Sequence, residues 1–196
     1  MLNKILTVVF TIIAIILAWL IWDYSINSEI RLRKEIKKVE TEVIRNLEQI
    51  RDAQKAYYAS HGKYTANWDS LISFIDTGKI YIVERNEQIV TLEYGADSII
   101  VELDTLGYRG VQDSLFNSRK APNFDLAKLK YVPYGNGSIF EMKTEIQIKG
   151  PVKVPLIQVV DPAPFDKSRK EDNDIPGRRP LRFGSLIDAS LSGNWE

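Results

Sequence analysis

Apolar and polar positions change period several times along the chain, and each change marks an element. From Ile5 to Trp22 every residue is apolar except Thr7 and Thr11, whose hydroxyls can bond back to carbonyls of the preceding helical turn. At about 1.5 Å of rise per residue, a run of about 18 residues covers roughly 27 Å, close to the hydrocarbon thickness of a bilayer once Leu2 and Tyr24 extend it. Trp19, Trp22 and Tyr24 gather at its far edge, where amphipathic rings prefer to sit. Residues 1–24 are therefore predicted to form a transmembrane anchor. A cleaved secretory signal would need a small-x-small site beyond a shorter apolar core, and bulky Trp19, Leu20, Ile21 and Trp22 occupy that place. A core helix of a soluble protein is the weaker alternative, because every face of the run is apolar.

Between Ile26 and Ala59 there is no proline or glycine, and Ile26, Ile30, Ile36, Val39, Val43, Leu47, Ile50, Gln54 and Tyr57 recur at helical spacing. The pattern predicts an amphipathic helix continuing out of the membrane. Charged residues such as Lys38, Glu42, Arg45, Asp52 and Lys55 fill the remaining face as solvated surface. The spacing drifts from a strict heptad, so the helix is expected to pack on a sheet and not in a two-stranded coiled coil. Gly62 is placed to end it in a left-handed cap, with Lys55 and His61 near the negative end. A short second helix follows, capped by Asn67 or Asp69, with Trp68, Leu71, Ile72, Phe74 and Ile75 as its buried face and Gly78 as its stop. Residues 25–78 thus hold the long helix and the short one.

Residues 79–160 read as a β-rich head. Ile80 to Val83, Gln88 to Tyr94 and Ser98 to Leu103 are short β-rich runs, separated by polar turns at Arg85-Asn86-Glu87 and Gly95-Ala96-Asp97. A second strand group runs from Leu129 to Val160, punctuated by Gly135-Asn136-Gly137 and Gly150-Pro151. Within it, Ile139 to Ile148 alternates as a half-buried strand does.

Residues 161–196 read as a charged linker and a C-terminal arm. Asp161-Pro162-Ala163-Pro164 and the stretch from Asp166 to Arg179 lack periodicity and suit an exposed segment. Apolar content returns in Leu181, Phe183, Leu186, Ile187, Leu191 and Trp195. Such an arm either docks on its own head or pairs with another subunit. Phe183, Leu186, Ile187 and Trp195 are the expected partner-binding residues, because an exposed apolar stripe has no solubility benefit.

Composition narrows the chemistry. The chain has 26 basic and 26 acidic residues, a balance that lacks the basic excess needed to displace counterions from nucleic acid. With no cysteine, disulfides, thiolate metal sites and thiol nucleophiles are excluded. His61 is the only imidazole, and beside Gly62 it suits a helix end better than a catalytic base. Gly107-Tyr-Arg-Gly110 and Gly135-Asn-Gly137 fit turns better than a phosphate loop. Asp172-Asn-Asp174 with Gly177 resembles part of a calcium loop, but Pro176 takes one ligand position and Phe183 stands where a bidentate Glu belongs. No catalytic residue, cofactor or metal is therefore assigned.

The ordered set Ile50-Arg-Asp-Ala-Gln-Lys-Ala-Tyr-Tyr58, His61-Gly-Lys-Tyr64 and Trp68-Asp-Ser-Leu71 resembles type IV pilins and type II secretion pseudopilins. The resemblance covers about the first 75 residues. It implies an α+β fold in which the transmembrane helix continues into a long helix packed on an antiparallel sheet. Pilin precursors also carry a glycine before their cleavage site and a glutamate at the fifth mature position. Nothing between Met1 and Trp22 supplies either, so the anchor is expected to stay uncleaved.

Orientation pulls two ways. Lys4 precedes the apolar run and Arg31, Arg33, Lys34, Lys37 and Lys38 follow it, which favours a cytoplasmic head. The resemblance implies a periplasmic head on the inner membrane, and that is the expectation adopted. The function expected is a non-enzymatic, single-pass structural or assembly subunit of a cell-envelope machine, such as a secretion, pilus-like or motility apparatus. Its partners would be the lipid bilayer and other protein subunits, with no nucleic acid. The alternative is a membrane-tethered module that captures a ligand or another protein.

Overall fold

A computed structural model describes residues 2–91, 97–122, 124–170, 175 and 177–196. Helix α1 (Leu2–Ile21) runs through a π-helical turn (Trp22–Asn27) into α2 (Ser28–His61) without a break. The continuity has a local cause: no proline or glycine interrupts the sequence. Along α2 the periodic positions Val39, Val43, Leu47, Ile50, Ala53 and Gln54 are buried, while Ile30 and Leu32 nearer α1 are exposed. The first part of α2 is thus a bare stalk, and only the second part enters the head.

Gly62 ends α2 at φ 67° and ψ 10°, its N–H donating to the Tyr58 carbonyl. That left-handed conformation disfavours any residue with a Cβ. Helix α3 (Trp68–Thr77) is capped as expected by Asn67, whose side chain accepts from the Asp69 and Ser70 amides. It buries Leu71, Phe74 and Ile75 against α2.

The β-structure differs from the sequence reading. In place of three short strands there are two long ones, β1 (Lys79–Thr91) and β2 (Asp97–Gly110), paired antiparallel with a register shift between Ile82 and Val83. Arg85, Asn86 and Glu87 are not a turn but lie within β1 opposite Leu103, Glu102 and Val101. The turn expected at Gly95-Ala96-Asp97 falls at residues outside those described, apart from Asp97, which opens β2. A second, separate sheet has the order β3-β4-β5, from β3 (Glu141–Lys149), β4 (Val152–Val160) and β5 (Arg182–Ser185). The fold is therefore α+β with two small antiparallel sheets where one was expected.

Between the sheets, helix α4 (Val111–Leu115) and a series of turns carry Phe116, Ala121, Leu129 and Val132 into the core. Phe116 and Phe124 stack with ring centroids 4.1 Å apart. The predicted half-buried strand begins later than expected, since Ile139 makes only an isolated bridge to Tyr131. Met142 packs on the core, but Ile146 and Ile148 on the same face run past it and are 61% and 70% exposed.

Gln54 sits in the middle of the core at 0% exposure. Its amide donates to the Thr65 carbonyl at 2.7 Å and its oxygen accepts from the Thr65 amide at 3.2 Å. This pair of bonds replaces the ladder that the corner after Gly62 lacks, and fixes where α3 starts. The Trp68 indole adds a second pin, donating to the Phe140 carbonyl at 3.1 Å.

Candidate functional site

The surfaces available for function are α1, the stalk, the ends of the strands and the C-terminal arm. The α1 segment is long and apolar enough to cross a membrane, and none of its most apolar window is covered by the rest of the chain. Phe10, Ile15, Trp19, Ile21 and Trp22 are each at least 60% exposed. Thr11 satisfies its hydroxyl within the helix, on the Val8 carbonyl at 2.8 Å, so the polar atom places no demand on the surroundings.

The four expected partner-binding residues separate. Phe183 is fully buried in the core of its own head, with β5 paired to β4 through Phe183 opposite Val159. Trp195 is half-buried and packs on the same core. Leu186 is half-buried, and Ile187 is 74% exposed. Of the two docking modes read from the sequence, residues 181–196 adopt the one on their own head. Gly184 makes this possible: at φ 76° a Cβ there would meet the Ile157 carbonyl oxygen at 2.1 Å. The far edge of β5 is also closed, because Gly184 donates to the Ser192 carbonyl and Asn194 to that of Arg182.

Two arginine–glutamate pairs, remote from each other in the chain, bind the C-terminal segments to α2. Arg51 reaches Glu196 at 2.6 Å and the Leu191 carbonyl at 3.4 Å, with its guanidinium 5.9 Å from the Trp195 ring centre. Arg169 forks onto both carboxylate oxygens of Glu40 and also donates to the Arg179 carbonyl at 3.3 Å. The linker is thereby tied to α2 just above the bare stalk. Asp161, at its start, is 1% exposed and accepts from the Ala163 amide. Burial raises its carboxyl pKa, with that amide bond opposing. Asp172 and Asp174 lie outside the described residues.

The grooves of the head are shallow and mixed in charge. One, of about 350 Å³, lies along α2 between Glu42, Arg45 and Gln49 on one side and Asp125, Lys128 and Tyr131 on the other. Its Lys128 is held by Asp125 at 3.1 Å. His61 stacks on Tyr57 at 4.2 Å with its Nδ1 3.1 Å from the Tyr57 carbonyl. Its nearest aromatic and carbonyl neighbours hold the ring at the helix end. Among the described residues, no group of three or more His, Asp or Glu side chains is placed to hold a metal ion.

Sequence reasoning missed the β1–β2 ribbon as a surface. Tyr81 and Tyr108 face each other across it and are 64% and 63% exposed, with Lys79 lying over the Tyr108 ring at 4.2 Å. Only the register brings them together, and no local signal encodes it. Compared with protein-family models, curated proteins and solved structures, the chain matches none of them.

Proposed function

We propose that the chain is a non-enzymatic, single-pass membrane subunit, a structural or assembly component of a cell-envelope machine with a pilin-like head on the periplasmic side of the inner membrane. One observation carries this reading: a single helix from Lys4 to His61, 58 residues long, has a wholly uncovered apolar first part and a last part that supplies the buried face of the head. A continuous helix of this kind couples the head directly to the anchor. Structural subunits need such coupling, and a ligand-capturing module on a flexible tether does not. The sequence motif set from Ile50 to Leu71 supports the pilin-like part, as does the order of long helix, Gly62 corner, short helix and antiparallel strands.

The test has two arms. Reporters fused after Glu196 that are active only in the periplasm or only in the cytoplasm read the side of the head; activity of the cytoplasmic reporter alone removes the periplasmic assignment. Detergent-solubilised protein is then purified under native expression. Co-purification with other membrane chains in fixed stoichiometry supports an assembly subunit, and isolation as a lone chain removes it.

A further inference from the structure

The bare stalk carries a chemistry that the head does not use. Arg31, Arg33, Lys34, Lys37 and Lys38 are all exposed. Ile30, Arg33, Lys34 and Lys37 follow i, i+3, i+4 and i+7 spacing, and Arg31, Lys34 and Lys38 follow i, i+3 and i+7. The two rows share Lys34 and merge into one cationic face. Leu32, Ile36, Val39 and Val43 form the opposite face, of which Val39 and Val43 are buried in the core. The cationic face therefore points away from the head. Arg33 meets Glu29 at 3.6 Å and Arg31 meets Asp23 at 3.7 Å, both as exposed, weak pairs. Lys34, Lys37 and Lys38 have no carboxylate partner among the described residues.

We propose that this face binds anionic lipid headgroups, with the stalk inclined so that Lys34, Lys37 and Lys38 meet the membrane surface and Ile30 enters its interface. The proposal rests on the reading of α1 as the membrane-spanning segment. If α1 spans, a headgroup layer is the charged surface nearest the band. Geometry then says how it is reached. The layer extends about 5–7 Å beyond the hydrocarbon, and on an upright helix Lys38 would stand about 24 Å above Trp22. That is beyond both side-chain reach and a screening length of about 8 Å. Inclination is required, and two features permit it. The π-helical turn at Trp22–Asn27 sits where the apolar run ends, and such turns are among the recognised causes of helix kinks. Because the head packs on the opposite face, leaning toward the cationic side carries the head upward and clear of the bilayer. Ile30, 44% exposed in the middle of the band, gives the face the apolar insertion that interfacial helices use alongside their cations.

Full-length protein is reconstituted with a single cysteine-reactive donor dye at Thr41→Cys, on the cationic side one turn beyond Lys37; the chain has no native cysteine to compete. Energy transfer to an acceptor on lipid headgroups is read in phosphatidylcholine vesicles with and without phosphatidylglycerol. A several-fold rise in transfer with the anionic lipid, reversed by high salt and lost in Lys34→Glu/Lys37→Glu/Lys38→Glu, is the expected result. Equal transfer in both vesicles, or a rise that survives the triple substitution, overturns the proposal. If the triple variant instead loses a co-purifying membrane chain with transfer unchanged, the face serves an acidic protein and the lipid proposal fails. A second label at Ile13→Cys separates the two levels: exposure of that label to water-soluble quencher removes the spanning reading of α1 itself, and this proposal with it.

Discussion

Arg51 and Glu196 meet at 2.6 Å, a bond that joins α2 to a residue 145 positions further along the chain. The Arg51 side chain is only 17% exposed, and beside the carboxylate it serves the Leu191 carbonyl and lies near the Trp195 ring. Arg51→Ala should destabilise the head by about 1–2 kcal/mol, from the lost charged hydrogen bonds and the uncovered indole. Arg51→Lys should recover only part of this, since an ammonium lacks the flat guanidinium that lies near the Trp195 ring. Urea denaturation followed by Trp fluorescence checks both; an Arg51→Ala midpoint equal to the parent's would show that the arm is held by packing alone.

Gln54 offers a sharper test of the corner. Replacing it with Leu keeps the volume but strands the Thr65 amide and carbonyl in a half-buried site. The expected cost is about 2–4 kcal/mol, because two backbone groups lose partners at once. Gln54→Glu should behave differently, keeping the acceptor for the Thr65 amide but losing the donor and burying a charge; it should be least stable above neutral pH and recover on acidification. Equal stability of the Leu variant and the parent would mean that water enters the corner.

These two residues also mark what the sequence could and could not convey. Gln54 was visible as a member of the helical stripe, because a 3.6-residue period is local and survives in the pattern. Gly62, Asn67 and Gly78 were legible for the same reason, each being a cap read from its immediate neighbours. Arg85-Asn86-Glu87 misled because polar residues mark turns only when the flanking strand has a buried face, and this two-stranded ribbon lacks a covering layer over Tyr81, Ile82 and Val83. The ties of Arg51 to Glu196 and of Arg169 to Glu40 span 145 and 129 residues, and side-chain charge alone does not select such partners. Phe183 was expected to face a partner, since an apolar strand suits another chain's sheet edge as well as its own.

Acid should act on two carboxylates in opposite senses. Burial raises the Asp161 pKa above its ordinary 3.8, so the folded state holds that proton more tightly than the unfolded one. Its contribution is fully present below about 3.8 and is lost as pH rises through the folded value. The hydrogen bond from Arg51 lowers the Glu196 pKa below 4.5. Its contribution is present above that value and is lost as pH falls through the folded one. Asp161→Asn keeps an acceptor for the Ala163 amide and should raise stability at neutral pH while removing the decline on leaving acid. Glu196→Gln should lower stability at neutral pH and change little in acid. Melting temperatures measured across mildly acidic pH decide the matter; parallel profiles for Asp161→Asn and parent would show that the carboxyl is already hydrated in the folded state.

The C-terminal arm provides the prediction with the largest effect. Leu181 and Phe183 are 2% and 0% exposed and belong to the same core as Leu47, Ile50 and Leu71. Phe183→Ala would leave a void between α2 and β4, the elements β5 packs on, and should cost about 3–5 kcal/mol. Ending the chain before Leu181 removes β5, its pairing with β4 and the Arg51 bond at once, so the truncated head should be unfolded and degraded, not merely released from partners. Ile187→Asp supplies the contrast, because that side chain is 74% exposed and its loss should leave the denaturation midpoint unchanged. Pulse proteolysis in urea on all three reads fold directly, and co-purification of membrane chains with Ile187→Asp reads association separately. Resistance of the truncated head to protease at the parent's level would show that β5 is an appendage on a core complete without it, and would return Phe183 to the role of a partner-facing anchor.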